Sequence, residues 1–256
     1  MKLTRLLLAA GLFALATPTF AQTALDALKQ AGTLRIGTEG TYAPFTYHDA
    51  DNKLVGFDVE IGEEIAKRLG VKPEFVEGKW DGLIAGLDVK RYDAVINQVG
   101  ITEERKAKFD FSEPYIASRA ALIVREDNAD IKGFGDLSGK KAAQSLTSNY
   151  GKIAEQAGAQ LVGTDGFDQS IALVVQGRAD ATINDSLSFL DFKKKQPNAP
   201  VKIAATEDDA SYSGVIVRKG DPELVVVAIN KALKEIKADG TYQKIADKYF
   251  GQDVSQ

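Results

Sequence analysis

The chain has 256 residues, of which 32 are basic and 36 are acidic, and it contains no cysteine and one histidine. The absence of cysteine excludes disulfides and thiolate metal sites, and a net charge of −4 gives no indication of nucleic-acid binding. A hydrophobic fraction of 44% allows one large domain or two ordinary ones to bury a core without disulfides or metals. We expect no bound metal ion and no cofactor.

Residues 1–21 have the pattern of a secretory signal peptide. Two basic residues precede an uncharged apolar run at 6–16, and the small residues Thr19 and Ala21 stand where a signal peptidase reads the chain. The apolar run is too short to span a bilayer, which needs roughly 20 apolar residues. We therefore expect cleavage between Ala21 and Gln22, and no lipid anchor, because no cysteine is present to carry one.

From residue 34 onward, short apolar strands alternate with helices. We predict strands at 34–37, 45–47, 54–56, 71–76, 92–97 and 120–124, and helices at 58–69 and 103–109. The first helix buries Ile61, Ile65 and Leu69 on one face. We expect Asp58 to cap this helix and Gly70 to end it.

A second unit of similar build follows the segment 110–115. We predict its strands at 140–144, 161–163, 179–184 and 215–218, and helices at 149–157, 167–176, 225–238 and 242–250. This alternation is typical of α/β proteins with covered, mainly parallel sheets. Two such units without an obvious linker indicate two lobes that share two chain crossings.

Four motifs, in order along the chain, resemble those of the polar-amino-acid binding proteins of ABC importers, the bacterial extracellular solute-binding proteins of family 3. They are GTYAPF at 40–45, LVGFDVEI at 54–61, ITEER leading to FDFS at 101–112, and DGTY followed by KYFG at 239–251. The resemblance covers essentially the whole chain after residue 21. It implies a type II periplasmic-binding-protein fold, which is α/β with a ligand cleft between two lobes joined by two hinge strands.

By this resemblance, lobe 1 is discontinuous and consists of residues 22–115 plus 214–256, while lobe 2 is 116–213. The same resemblance implies a periplasmic monomer that binds an amino acid and delivers it to an inner-membrane ABC permease. It implies a binding protein and not an enzyme, with no nucleic-acid partner.

Arg105 is the candidate for binding the ligand's carboxylate. Removing a carboxylate from water is costly without charged partners, and a guanidinium supplies two parallel donors. Its place at the end of ITEER matches the family's carboxylate-binding arginine. Spacing alone favours a different interpretation, in which Arg105 pairs with Glu103 or Glu104 inside its own helix.

Asp185 is the candidate for binding the ligand's ammonium group, because it follows a predicted strand whose end meets the cleft. The alternative is a helix N-cap before 186–192, and both roles are compatible. Ser148 and Asn149 lie between a strand and a helix, where free backbone N–H groups bind anions. The alternative there is an ordinary capped helix start.

Tyr42 and Trp80 are the candidate aromatic walls of the cleft. Trp80 lies in a stretch predicted to be a polar loop, and the alternative is a buried structural tryptophan. Gly100 departs from the family, because many relatives carry a serine or threonine there that bonds the amino acid. The other positions that match pocket-lining residues of the family are Glu39, Asn97, Gln98, Ser145 and Asn184.

The stretches 79–82, 96–99 and 148–150 resemble the cystine-binding branch, so L-cystine or cysteine is the predicted ligand. Gly100 leaves room for a long ligand, and Glu39 would face the distal ammonium group of cystine. The alternative interpretation of Glu39 is selection of a basic amino acid such as arginine or histidine.

A different class of function is a periplasmic cyclohexadienyl dehydratase acting on prephenate or arogenate, since some members of this fold family have that activity. It requires a positioned acid, for which Glu39 or Asp81 would be the candidates. The sole histidine, His48, lies in the predicted hairpin, so histidine-based triads and metal sites have little support. A third class is a sensor module that acts through a membrane-bound partner.

Overall fold

The computed structural model describes residues 23–221 and 223–255. The predicted signal peptide, 1–21, and its cleavage point lie outside these residues. No helix in the described part of the chain is long and apolar enough to cross a membrane.

The strands of the described chain are short. They are β1 (Thr33–Thr38), β2 (Thr41–Tyr42), β3 (Thr46–His48), β4 (Leu54–Val55), β5 (Lys72–Glu77), β6 (Ala94–Val95), β7 (Phe109–Phe111), β8 (Ile116–Ser118), β9 (Ala120–Arg125), β10 (Lys141–Gln144), β11 (Gln160–Gly163), β12 (Ala181–Asp185), β13 (Val201–Thr206), β14 (Ser211–Ser213) and β15 (Ile216–Arg218).

The α-helices cover the sheets. They are α1 (Ala24–Ala31), α2 (Phe57–Leu69), α3 (Trp80–Leu83), α4 (Glu103–Lys108), α5 (Asn149–Gln156), α6 (Phe167–Val175), α7 (Ser186–Lys195), α8 (Asn230–Ala238) and α9 (Thr241–Phe250). Shorter 3₁₀ turns lie at Ile84–Leu87 and Phe134–Leu137, and a π-helical segment, Glu223–Ile229, leads into α8.

Two five-stranded sheets form the two lobes. The strand order is β5-β1-β6-β15-β7 in the first sheet, which we call lobe 1 with its helices. The order is β11-β10-β12-β9-β13 in the second sheet, which we call lobe 2. In the first sheet, β5, β1 and β6 are parallel, and β15 pairs antiparallel with β6. In the second sheet, β11, β10 and β12 are parallel, and β9 pairs antiparallel with β12. Lobe 1 therefore takes its strands from both ends of the chain.

Two neighbouring strands connect the lobes. The chain leaves lobe 1 through β8 and returns through β14, and these two strands pair antiparallel with Ser118 opposite Ser211. Because the crossings are adjacent, the lobes meet along one cleft. The carboxyl ends of the parallel strands face such a cleft in α/β sheets, and this positions the loops that follow β1, β10 and β12.

Helix α2 shows how a local pattern forms an element and where the prediction was wrong. Ile61 and Ile65 are fully buried on one face, and Gly70, at a φ of 74°, ends the helix as predicted. The N-cap, however, is Gly56 and not Asp58. The helix begins earlier than predicted, so the Asp58 side chain lies inside the first turn and is fully buried.

Most other predicted elements lie within a few residues of their predicted positions. The strand predicted at 92–97 is regular only at β6. Helix α1 and strand β13 were not predicted, and the helix predicted from 225 begins as a π-helical segment.

The largest buried cluster continues from one lobe to the other. It contains Tyr42 and Phe45 of lobe 1 together with Phe167 and Phe189 of lobe 2. The rings of Tyr42 and Phe167 are 6.5 Å apart, edge to face. The apolar contact across the cleft is thus part of the core.

Candidate functional site

A cavity lies between the lobes, at the carboxyl ends of their parallel strands. Counting its mouth, it measures about 470 Å³, which is within the range typical of small-molecule sites. It is lined by Glu39, Tyr42, Trp80 and Gln98 from lobe 1 and by Gln144, Ser145, Ser148, Asn149, Tyr150, Gly166, Phe167, Ser170 and Asn184 from lobe 2.

Most of the residues predicted from the sequence lie on this lining. The four that do not are Asn97, Gly100, Arg105 and Asp185. Sequence reasoning missed five lining residues, which are Gln144, Tyr150, Gly166, Phe167 and Ser170. Of these, Tyr150 directly follows the predicted Ser148 and Asn149, so its position next to them was the available signal.

Asn97 supports Glu39. Its Oδ1 accepts a hydrogen bond from the Glu39 backbone N–H at 2.7 Å, and its Nδ2 donates to the Glu39 carboxylate at 2.6 Å. Burial raises the pKa of Glu39 to about 7, although the bond from Asn97 acts in the opposite direction. Glu39 is therefore a carboxyl group that Asn97 holds at the cavity, with a pKa well above its ordinary value.

Trp80 is the first residue of α3, so the prediction of a polar loop was wrong. The residue is 8% exposed and packs with Leu83 and Leu87, because the chain turns into a helix at this point. The two interpretations of Trp80 are compatible, since it belongs to a buried cluster and also lines the cavity.

Two buried side-chain atoms make no hydrogen bond within the described residues. They are Trp80 Nε1, a donor, and Gln98 Oε1, an acceptor. Buried polar atoms are nearly always paired, and both of these atoms belong to residues of the cavity lining, so a polar ligand is a candidate partner for each.

Arg105 lies at the cavity's edge on α4. Its Nη1 donates to the carbonyl of Gly100 at 3.0 Å, and its guanidinium faces the Trp80 ring at 5.3 Å. The ion pair within the helix is not formed, because Glu103 pairs with Lys106 at 2.9 Å and Glu104 pairs with Lys152 and Lys108. Arg105 has no carboxylate within 4 Å in the described chain, and burial lowers its pKa.

Gly100 marks the point where Arg105 and α5 approach each other. A Cβ added at Gly100 would lie 3.5 Å from Arg105 Nη1 and 3.5 Å from Asn149 Nδ2. Two donor-bearing side chains from opposite lobes therefore converge on one small volume.

The start of α5 is a capped helix, as the alternative interpretation predicted. Ser148 Oγ accepts from the Gly151 backbone N–H at 2.8 Å and donates to the Ser145 carbonyl at 2.8 Å. The cap uses the hydroxyl of Ser148, while the backbone N–H groups of Asn149 and Tyr150 donate to no acceptor in the described chain. Such a helix start is suited to bind an anion.

Asp185 is the N-cap of α7, as its alternative interpretation predicted, and it is 2% exposed. Its carboxylate accepts hydrogen bonds from the Leu187 backbone N–H at 2.8 Å, from the Tyr150 hydroxyl at 3.3 Å and from the Ser118 hydroxyl. Burial raises its pKa. Asp185 thus lies behind Tyr150 and contributes negative charge beneath the lining.

Polar contacts join the lobes around the cavity. The Tyr42 hydroxyl donates to Asn184 Oδ1 at 2.6 Å, and the Ser188 hydroxyl donates to the Ala43 carbonyl at 2.8 Å. Nearer the surface, Lys79 pairs with Asp165 at 2.7 Å, and Lys152 pairs with Glu104. The lobes are closed on each other.

No cluster of three or more histidine, aspartate or glutamate side chains suited to a metal ion is found among residues 23–221 and 223–255. The chemistry of the site is that of ion pairing and hydrogen bonding at a partly enclosed cavity.

Comparison with known proteins assigns this geometry to a family. The model of bacterial extracellular solute-binding proteins, family 3, matches residues 34–252. The L-cystine-binding protein TcyA of Bacillus subtilis is 51% identical over 230 residues, which cover 90% of this chain and 85% of that protein.

Two solved structures of relatives differ in how closely their shape matches that of this chain. An ancestral arginine-binding protein bound to arginine, 44% identical, gives a TM-score of 0.81 and covers 86% of this chain and 99% of that one. The L-cystine solute receptor of Neisseria gonorrhoeae in the unliganded open conformation is 51% identical and gives a TM-score of 0.60. The match covers 91% of this chain and 99% of that one. The similarity in shape is greater to the ligand-bound structure although the identity is lower, which agrees with the closed lobes.

Proposed function

This chain belongs to the bacterial extracellular solute-binding proteins of family 3, and from that premise we propose that it is the periplasmic binding component of an ABC importer for an amino acid, with L-cystine as the ligand. Relatives named as L-cystine-binding proteins support this assignment. The protein binds its ligand and does not transform it. An inner-membrane permease receives the ligand from the closed form.

The observation that carries the proposal is the convergence of Arg105 and the start of α5 at Gly100. An amino-acid carboxylate placed there would accept from the guanidinium of one lobe and from the Asn149 side chain and free backbone N–H groups of the other. Because the carboxylate would bridge the lobes, ligand binding would favour the closed state over the open one.

The ammonium groups of the ligand are assigned to the acceptors on the lining, Glu39 and Gln98 Oε1. Asp185 supports them as a buried negative charge behind Tyr150. Ionised Glu39 offers a cationic group a charged partner, and this offsets the cost of removing that group from water.

The relatives named as L-cystine-binding proteins favour cystine over a basic amino acid. Cystine also carries a second carboxylate that can accept from the unpaired Trp80 Nε1, whereas the guanidinium of arginine cannot. A basic amino acid is the second candidate, because Glu39 suits its side chain and an arginine-bound structure is similar to this one.

The test is a thermal-shift panel on the chain from residue 22, unfolded and refolded to remove any bound ligand, against all amino acids and L-cystine. Ligand at about 100 times its Kd should stabilise the fold by roughly 2.7 kcal/mol and raise Tm by about 5–10 °C. A shift with cystine alone supports the proposal, and a shift with arginine or histidine alone supports the second candidate. No shift with any amino acid contradicts both, and turnover of prephenate and arogenate would then be measured.

A further inference from the structure

Asp58 is a fully buried carboxylate on the first turn of α2 and does not itself line the cavity. Its Oδ2 accepts a hydrogen bond from the backbone N–H of Gln98 at 2.7 Å. Its Oδ1 accepts from Gln98 Nε2 at 2.8 Å and from the Tyr115 hydroxyl at 3.1 Å. Two of these three bonds therefore come from one residue of the cavity lining.

These bonds determine which atom of the Gln98 amide faces away from Asp58. Both oxygens of Asp58 already accept, Oδ2 from the Gln98 N–H and Oδ1 from the Tyr115 hydroxyl, so the Gln98 group next to Oδ1 is the amide NH₂ and the amide oxygen points elsewhere. That oxygen, Gln98 Oε1, is buried and makes no hydrogen bond within the described residues. A ligand that donates to it would remove the free-energy cost of an unpaired buried acceptor.

Asp58 also holds the backbone of Gln98. The φ of Gln98 is +51°, in the left-handed region that residues other than glycine seldom adopt. The bond from its N–H to Asp58 Oδ2 stabilises this conformation. The direction of the Gln98 side chain and its chemical polarity thus depend on the same buried carboxylate.

We propose that Asp58 is a positioning residue that makes Gln98 a hydrogen-bond acceptor in the cavity, so that the protein selects ligands which present an ammonium or another N–H donor there. The inference rests on the proposed function, because it concerns the specificity of the same cavity. Asp58 acts through Gln98 and does not touch the ligand.

The first variant is Asp58→Asn, tested for L-cystine binding by calorimetry and for Tm. The new amide can still accept from the Gln98 backbone through its oxygen, but it turns its NH₂ toward the Gln98 side chain. The Gln98 amide then rotates and presents its own NH₂ to the cavity. We expect the Kd to rise about tenfold or more, as for loss of a hydrogen bond to a charged group.

The rescue variant is D58N/Q98E, which exchanges acid and amide and keeps the net charge of the pair. Its carboxylate accepts from the new amide and retains a second oxygen that faces the cavity as an acceptor. We expect this double variant to recover a Kd within about fivefold of the wild type. A merely structural role for Asp58 predicts no such recovery.

Tyr115→Phe is the matched control, because it removes the third bond to Asp58 and leaves both bonds to Gln98 intact. It should lower Tm and keep the Kd within about twofold. Gln98→Met keeps the side-chain volume without an acceptor, so it tests the idea even if D58N fails to fold, and its Kd should also rise about tenfold.

A folded D58N or Q98M that binds within about twofold of the wild type overturns the inference, as does a double variant no better than D58N. A wild-type protein that binds no amino acid contradicts the proposed function instead.

Discussion

Arg105 in lobe 1 and Asp185 in lobe 2 are charged side chains beside the same cavity, but the protein provides them with very different surroundings. Asp185 is nearly saturated, because two hydroxyls and a backbone N–H donate to its carboxylate. Within the described chain the Arg105 guanidinium makes one hydrogen bond, to a carbonyl, and has no carboxylate within 4 Å.

This difference separates a charge that stabilises the fold from a charge that is available to a ligand. A carboxylate whose lone pairs are mostly taken gains little from a further donor. A guanidinium has five N–H donors, and one that lies partly out of water with most of them unused gains much from an anion. The variants that follow test this contrast.

Replacing Arg105 has the largest expected effect on binding. Arg105→Ala should weaken amino-acid binding by about 2–5 kcal/mol, because the ligand carboxylate would be removed from water without its charged partner. Isothermal titration with the ligand found in the thermal-shift panel measures this. Lys108→Ala on the same helix is the control, since Lys108 is exposed, and near-normal binding by R105A would contradict the carboxylate assignment.

Asp185→Asn should act mainly on stability. Loss of the charged cap and of the bonds from Ser118 and Tyr150 should cost on the order of 1–2 kcal/mol of unfolding free energy, measured by denaturant titration. Its effect on affinity should be smaller than that of R105A. A D185N variant with normal stability and an affinity as low as that of R105A would contradict the view that Asp185 stabilises the fold while Arg105 binds the ligand.

Glu39→Gln tests the buried carboxyl group through pH. The pKa of Glu39 is raised to about 7 from an ordinary value of 4.5, so the folded state binds its proton more tightly than the unfolded state. Its stabilising contribution is present below about pH 4.5 and is lost as pH rises through about 7, a change on the order of 3 kcal/mol.

E39Q should therefore lose less stability than the wild type over this range, in denaturant titrations at a series of pH values. Both proteins retain the similar contribution of Asp58, whose pKa burial also raises to about 7. Glu155→Gln, at an exposed position, is the control and should follow the wild type. Identical curves for E39Q and wild type would show that Glu39 titrates normally.

The smallest effect is expected at the rim of the cleft. Lys152 pairs with Glu104 across the lobes, but both side chains are exposed, so Lys152→Ala should weaken affinity by less than about threefold, and less still at high salt. Lys106→Ala, which breaks the Glu103 pair within lobe 1, should leave affinity unchanged. A tenfold effect of K152A would mean that closure depends on the rim and not on the cavity.

Much of the fold could be predicted because its signals are local. The repeat of Ile61 and Ile65 with Gly70 behind it is enough to define the body and end of α2. The start of α2 was missed because the role of Asp58 depends on Gln98, forty residues away, and a capping pattern carries no information about that contact.

In the candidate site, too, some positions could be predicted from the sequence and others depended on contacts between distant segments. Resemblance to the family supplied positions such as Tyr42 and Asn184, and the structure places these two side chains in contact across the cleft. The helix at Trp80 and the lining residue Phe167 had no comparable signal, since both depend on packing between segments distant in the chain.

The amino-acid sequence by itself determined the alternation of strands and helices, the α/β class, and the residue types available to bind a zwitterion. Only the tertiary structure decided which of those polar atoms are already paired and which remain available, such as Gln98 Oε1 and the donors of Arg105. The physical reason is that hydrogen-bond saturation depends on neighbours brought together from distant segments and from both lobes. A residue's identity states what it can donate or accept, and its surroundings determine what is left for a ligand.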